Sequence, residues 1–79
     1  MNTSSLRISP FKIIVSNEYT ETAIGLETEA SAVKVFEIIK LELMAGKSGF
    51  AVSVWENILG QSDFSSFRCL DRCWRKSDV

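Results

Sequence analysis

Two cysteines, Cys69 and Cys73, are the only thiols of this 79-residue chain. A structural zinc site needs four ligands, so two thiols could supply one only across a dimer, and their spacing differs from the usual C-x-x-C motif. On a helix the two would share a face, whereas in a strand they would lie roughly 13 Å apart, too far for a disulfide. We therefore expect reduced, partly buried thiols and no metal or other cofactor.

The chain contains no histidine, which limits the catalytic chemistry available to it. Histidine is the usual general base near neutral pH, and the Ser-His-Asp and Cys-His arrangements require it. Two carboxylates could still carry out acid–base chemistry, but a domain of this size has little room for a cleft that encloses a substrate. We predict no catalytic residues and a protein that is not an enzyme.

The segment AGKSG, residues 45–49, resembles the end of a phosphate-binding Walker A loop. That motif needs a glycine where Leu41 stands and a strand before the loop, and here a predicted helix precedes it. We interpret Gly46 as a left-handed residue that ends the helix, and Lys47 as a cation near its negative end. No phosphate site is predicted.

A basic and aromatic segment lies near the C-terminus. Proteins that bind single-stranded nucleic acids combine aromatic side chains, which stack on bases, with cations, which neutralise phosphates. No RNP-type aromatic motif, GXXG loop or DNA-binding helix pair accompanies this segment. Nucleic-acid binding is therefore the alternative hypothesis, and its site would comprise Arg68, Arg72, Trp74, Arg75 and Lys76.

The element that must position the rest is a predicted helix at Glu29–Ala45, with Thr28 as its N-cap. One apolar stripe suits a core: Ala32, Val35, Phe36, Ile39 and Leu43. Four further apolar residues fall among the charged ones: Val33, Ile38, Leu41 and Met44. Because a helix that is apolar on several sides must be buried on several sides, we expect another surface to cover it.

Alternating apolar residues predict three strands around this helix. The first is Phe11–Ser16, and a turn at Asn17, a residue that tolerates positive φ, leads to the second at Tyr19–Glu27. The third is Phe50–Trp55. The sheet face away from the helix would carry Ile14, Ala51, Ser53 and Trp55.

The C-terminal segment 63–76 is amphipathic, and its pattern fits two structures. A helix would align Phe64, Phe67, Leu70 and Trp74, whereas a strand would place Phe67 and Cys69 on one face. We favour the helix. The fold class is then α+β, a single domain of residues 1–79 with 1–8 loosely ordered. A small antiparallel-rich sheet in ββαβ order carries the central helix on one face, and a C-terminal helix or fourth strand follows. Either that last segment or a partner would cover the other face.

The net charge is −1, so no overall field attracts nucleic acid or anionic membranes. The N-terminus lacks the pattern of a secretory signal, and no window approaches a membrane span. We expect a cytoplasmic protein that binds neither membrane nor cofactor.

Charge is nevertheless segregated, because residues 17–33 carry only acidic charged side chains. Together with the surplus apolar residues, this predicts a non-enzymatic protein-binding module, an inhibitor or regulator whose partner has a basic surface or is a second copy of the chain. A structural assembly subunit is a further alternative. The expected partner-binding residues are Glu18, Tyr19, Glu21, Glu27, Glu29, Leu41, Met44 and Trp55.

The element order of hairpin, helix and strand in a small acidic chain resembles that of phage-encoded proteins that inhibit host machinery, anti-CRISPR proteins among them. The resemblance covers the order of elements and no sequence motif. It implies a stoichiometric blocker in the host cytoplasm, whose acidic residues between Glu18 and Glu29 would occupy a nucleic-acid site on a basic effector complex.

Overall fold

The computed structural model describes residues 8–77 and confirms the α+β class. Its four strands form one antiparallel sheet in the order β2-β1-β3-β4. The prediction that residues 1–8 are loosely ordered lies outside the described residues, except at residue 8. The elements along the chain are β1 (Phe11–Ser16), β2 (Glu21–Leu26), α1 (Glu29–Ala45), β3 (Phe50–Asn57), a 3-10 turn (Phe64–Ser66) and β4 (Phe67–Arg75).

Helix α1 has the predicted bounds, and the predicted N-cap is present. Thr28 Oγ1 accepts a hydrogen bond from the Ser31 backbone N–H at 3.1 Å. The C-terminal end differs from the prediction, because Gly46 has φ −87° and its backbone is extended rather than left-handed. Its N–H donates to the Leu43 carbonyl at 3.2 Å, and a side chain from β4 also donates to the carbonyls of Leu43 and Met44.

Replacing Thr28 by alanine should destabilise the domain by about 1 kcal/mol, since the Ser31 N–H loses its acceptor. The midpoint of urea unfolding measures the change, with the slope of the transition unaltered. Thr28→Ser keeps the hydroxyl and is the matched control. Equal stability of the alanine and serine variants would show that the cap contributes nothing.

The β1–β2 turn forms without the positive φ that the sequence suggested for Asn17. Within residues 8–77 only Gly60 has a positive φ, of 73°. Asn17 Oδ1 instead accepts hydrogen bonds from the backbone N–H groups of Tyr19 and Thr20, at 2.7 and 2.9 Å. Tyr19 and Thr20, which were expected to begin the second strand, are therefore part of the turn. β2 starts after them, at Glu21.

The hydrophobic core lies between α1 and one face of the sheet. Phe36 and Ala32 enter it from the helix, and β1 and β3 provide the facing side chains. The buried apolar residues are Ile13, Ala32, Phe36, Phe50, Val52 and Val54. No helix within residues 8–77 has the length and apolar character needed to cross a bilayer.

The C-terminal segment is a strand, so the favoured helix is wrong, and the ββαβ order does not describe the sheet. β4 pairs with β3 along its length and satisfies backbone groups that would otherwise form an open edge. A bulge near Leu70 shifts the pairing by one residue between Val54 and Trp55. Leu70 and Cys73 consequently both pack against the core, at a three-residue spacing that mimics a helix.

Candidate binding surfaces

The side of α1 that faces away from the sheet is the first candidate, and we call it the outer helix face. It consists of Val33, Ile38, Leu41 and Met44. Their exposed fractions run from 42% for Val33 to 65% for Leu41, although Ala32 and Phe36 on the inner side are buried. The helix is therefore apolar on both sides, and the described residues cover only one of them.

Two of the charged side chains next to this surface, Lys40 and Glu37, form an ion pair. Lys40 Nζ lies 3.0 Å from Glu37 Oε1, one turn apart on the helix. The hydrogen bond from Lys40 to Glu37 raises the pKa of the ammonium group above its usual value. Because the pair is close to neutral as a whole, it leaves the adjacent apolar side chains without a strong local field.

The sheet face turned away from α1 is the second candidate, and we call it the open sheet face. Strand register places the following side chains on it: Lys12, Ile14 and Ser16 from β1; Glu21 and Ala23 from β2; Ala51, Ser53 and Trp55 from β3; Phe67, Cys69, Arg72 and Trp74 from β4. The predicted placement of Ile14, Ala51, Ser53 and Trp55 agrees with this register. β4 extends the face sideways instead of covering it.

One end of the open sheet face holds an aromatic cluster. The Trp55 and Phe64 ring centroids are 5.1 Å apart with a 58° tilt, and Phe64 is 64% exposed. Lys12 Nζ lies 3.9 Å from the Phe67 ring centroid and 5.7 Å from that of Phe64, which are cation–π distances. Trp55 Nε1 donates to Ser53 Oγ at 2.8 Å, so its indole is held against the sheet.

The β3–β4 loop that carries Phe64 is held by a partly buried polar network. Ser66 is fully buried, and its hydroxyl donates to Asn57 Oδ1 and accepts from the Gln61 N–H at 3.1 Å. Asn57 Oδ1 also accepts from the Gly60 N–H at 2.8 Å. Sequence reasoning missed this network, although an asparagine three residues before a glycine is a turn signal that points to it.

The structure divides the predicted partner-binding residues among several places. Glu18, Tyr19 and Glu21 lie at the β1–β2 turn, and Glu27 and Glu29 lie at the opposite end of β2. Those two groups are about 20 Å apart, at roughly 3.3 Å per residue. Leu41 and Met44 belong to the outer helix face, and Trp55 belongs to the open sheet face on the other side of the sheet.

The predicted nucleic-acid residues are also divided. Arg72 and Trp74 lie on the open sheet face, whereas Arg75 and Arg68 project toward the helix side. Arg68 Nη2 lies 2.6 Å from Glu56 Oε1 in an ion pair. Lys76 follows β4 and is exposed.

Arg75 supplies the cation at the C-terminal end of α1 that the sequence assigned to Lys47. Its guanidinium donates to four backbone carbonyls at 2.5–3.2 Å, and its Cζ lies 5.3 Å from the Phe50 ring centroid. The carbonyls belong to Leu43, Met44, Gly46 and Ser48. The Arg75 side chain therefore holds the end of the helix on the sheet.

Both cysteines are free thiols. Cys73 is partly buried against the core, and Cys69 is exposed opposite Trp55 in the sheet register. Among residues 8–77, no three Cys, Asp or Glu side chains lie together as a metal ion would require.

Comparisons with protein-family models, with curated proteins and with solved structures gave no match.

Proposed function

We propose that this protein is a non-enzymatic binding module that acts by occupying another protein, as an inhibitor or regulator of a larger complex. The observation that supports this proposal is the outer helix face, with Leu41 at its centre. Exposed apolar side chains grouped on one side of a small domain are typical of interaction sites, because leaving them in water costs free energy that a partner can recover. Leu41 and Met44 would be the anchors.

The acidic residues near the helix C-terminus would form part of the rim. The β1–β2 turn and the end of α1 border one cavity of about 280 Å³, lined by Asn17, Glu42, Leu43 and Gly46 among others. Glu18, Tyr19 and Glu21 therefore lie at the same end of the molecule as Met44. Acidic side chains around an apolar centre favour a partner with a basic surface and accelerate its approach.

In its most specific form, the proposal is a phage-encoded, anti-CRISPR-like blocker acting in the cytoplasm on a nucleic-acid-binding effector. The acidic residues between Glu18 and Glu29 support that form. A partner formed by a second copy of the chain is the homodimer form of the same proposal, and a structural assembly subunit would use the same face.

We expect Leu41→Glu to weaken capture of the partner at least about 30-fold, because it places a charge at the centre of an apolar contact. Tagged protein would be incubated with lysate of its source organism or, for the phage-encoded form, of the host cell, and the retained proteins would be quantified by mass spectrometry. Light scattering on the purified protein would show whether the partner is a second copy. Capture that weakens steeply as salt rises would support the acidic rim.

Leu59→Glu is the matched control, since Leu59 is 61% exposed in the β3–β4 loop, away from the outer helix face. Both variants should keep the urea midpoint of the parent protein, because exposed substitutions usually change stability by less than about 0.5 kcal/mol. Retention of the same proteins by Leu41→Glu and by the parent would refute the proposed contact.

A further inference from the structure

The open sheet face differs in charge from the rest of this acidic protein. Lys12 and Arg72 project from it, and its only carboxylate within the described strands is Glu21, on the β2 edge. Glu56 and Asp71 alternate to the opposite face of β3 and β4, and Asp63 lies in the loop beyond the strands. The part of the open sheet face formed by β1, β3 and β4 thus presents cations without carboxylates.

The same area presents aromatic rings at both ends. Trp74 is 64% exposed and lies opposite Ala51, at the start of β3. Trp55, with Phe64 packed on it, lies four residues further along β3, about 13 Å away at roughly 3.3 Å per residue. Small side chains occupy this part of β3, Ala51 opposite Trp74 and Ser53 between the two rings, and they leave the strip shallow.

The Arg72 guanidinium lies between these rings along β4 and forms no side-chain hydrogen bond or ion pair with the residues the structure describes. It differs in this from Arg68 and Arg75, whose guanidinium groups are engaged within the fold. Arg72 is therefore available to a ligand, and the ligand that suits it is an anion that also has flat apolar surfaces.

We propose that the open sheet face binds single-stranded nucleic acid. Bases stack on Trp74 and on the exposed ring of Phe64, Arg72 contacts a phosphate between the two rings, and Lys12 contacts a phosphate at the Phe64 end. The two rings are about 13 Å apart at roughly 3.3 Å per residue along β3, so a short single strand can reach from one ring to the other. Stacking accepts every base, so binding has little sequence preference, and a duplex, whose bases are already stacked and paired, binds less well.

This site is separate from the outer helix face, because the sheet and the core lie between the two. The inference therefore does not depend on the proposed protein partner, and each can fail without the other. The protein could hold a nucleic acid on one side while a protein contacts the other.

The test is fluorescence anisotropy with a labelled oligothymidine of about eight nucleotides, titrated at about 50 mM salt and then at increasing salt. Trp74→Ala should weaken binding about tenfold or more, because one stacking platform is lost. Arg72→Ala should reduce the slope of log affinity against log salt by about 0.7, the value for one phosphate contact with a single strand.

Tyr19→Ala and Lys34→Ala are the matched controls, because they remove an exposed aromatic ring and an exposed cation outside the open sheet face. Neither should change affinity or salt slope, and all four variants should keep the parental urea midpoint. The proposal is overturned by the absence of binding tighter than about 1 mM, by tighter binding of duplex than of single strand, or by equal losses in the controls. Binding of polyglutamate but not of the oligonucleotide would also overturn it, and would indicate an acidic protein ligand.

Discussion

Replacing Phe36 by alanine is expected to destabilise the domain by about 3–5 kcal/mol, because a fully buried aromatic ring is lost and a cavity remains. Phe36 is 1% exposed and packs with Ile13, Val52 and Val54, between the helix and the sheet. A 79-residue domain has roughly 4–12 kcal/mol of total stability, so the variant should be largely unfolded or close to it. Circular dichroism and urea titration at low temperature would measure the loss.

Two other substitutions on the same helix are the comparisons for the Phe36→Ala variant. Phe36→Leu retains most of the buried volume and should cost much less than the alanine variant. Leu41→Ala removes a comparable apolar side chain from the outer helix face and should change stability by less than about 0.5 kcal/mol. If Leu41→Ala were as destabilising as Phe36→Ala, the outer helix face would be part of a core, and the proposed protein-binding surface would be wrong.

The second large effect is expected at Arg75, where alanine should cost about 2–3 kcal/mol. The variant removes charge-assisted hydrogen bonds to two carbonyls of the last turn of α1 and two of the connection after it, and the contact with the Phe50 ring. Solvent can reach several of these carbonyls, which keeps the cost below that of losing the core ring. The urea midpoint should fall without a change in slope.

Arg75→Lys and Lys76→Ala are the comparisons for that variant. Lysine keeps the charge but not the planar fork that reaches several carbonyls, so it should recover only part of the stability. Lys76→Ala removes the adjacent exposed cation and should have no measurable effect on the midpoint. Unchanged stability in Arg75→Ala would show that the helix end does not depend on this arginine. If Arg75→Ala lost oligonucleotide binding but kept its stability, Arg75 would belong to the nucleic-acid site, as the sequence predicted.

The two candidate surfaces suit partners of different chemistry. The outer helix face offers aliphatic side chains and a neighbouring acidic turn, whereas the open sheet face offers aromatic rings with Lys12 and Arg72. A single partner that bound both would have to surround the sheet. The variants Leu41→Glu and Trp74→Ala therefore separate the two proposed activities, because each alters one surface and leaves the core intact.

The resemblance between the expected and observed folds is greatest where local chemistry determines the structure. The Thr28 cap and the apolar stripe of α1 predicted both ends of the helix correctly. The alternation of apolar and polar residues predicted β1 and most of β3. The same pattern placed Leu41 and Met44 outside the core stripe and Trp55 on the far face of the sheet. These features depend on residues within a few positions of one another, and a sequence displays them directly.

The secondary structure of segment 63–76 could not be predicted from local pattern. The segment becomes a strand because it pairs with the edge of β3, which is distant in the chain. The bulge near Leu70 also conceals the two-residue period that would indicate a strand. The roles of the arginines were equally inaccessible. Arg72 and Arg75 are three residues apart and look alike in sequence, yet one lies on the open sheet face and the other holds the helix end.

By itself the sequence determined the helix, the first strands, the absence of histidine chemistry and the surplus of apolar residues on α1. The tertiary structure alone decided which cations remain available and which aromatic rings share a surface. The physical reason is that strand register and packing join residues distant in the chain, as when Lys12 meets Phe67 or Arg75 reaches Leu43. Those long-range contacts depend on the whole fold and leave no local pattern in the sequence.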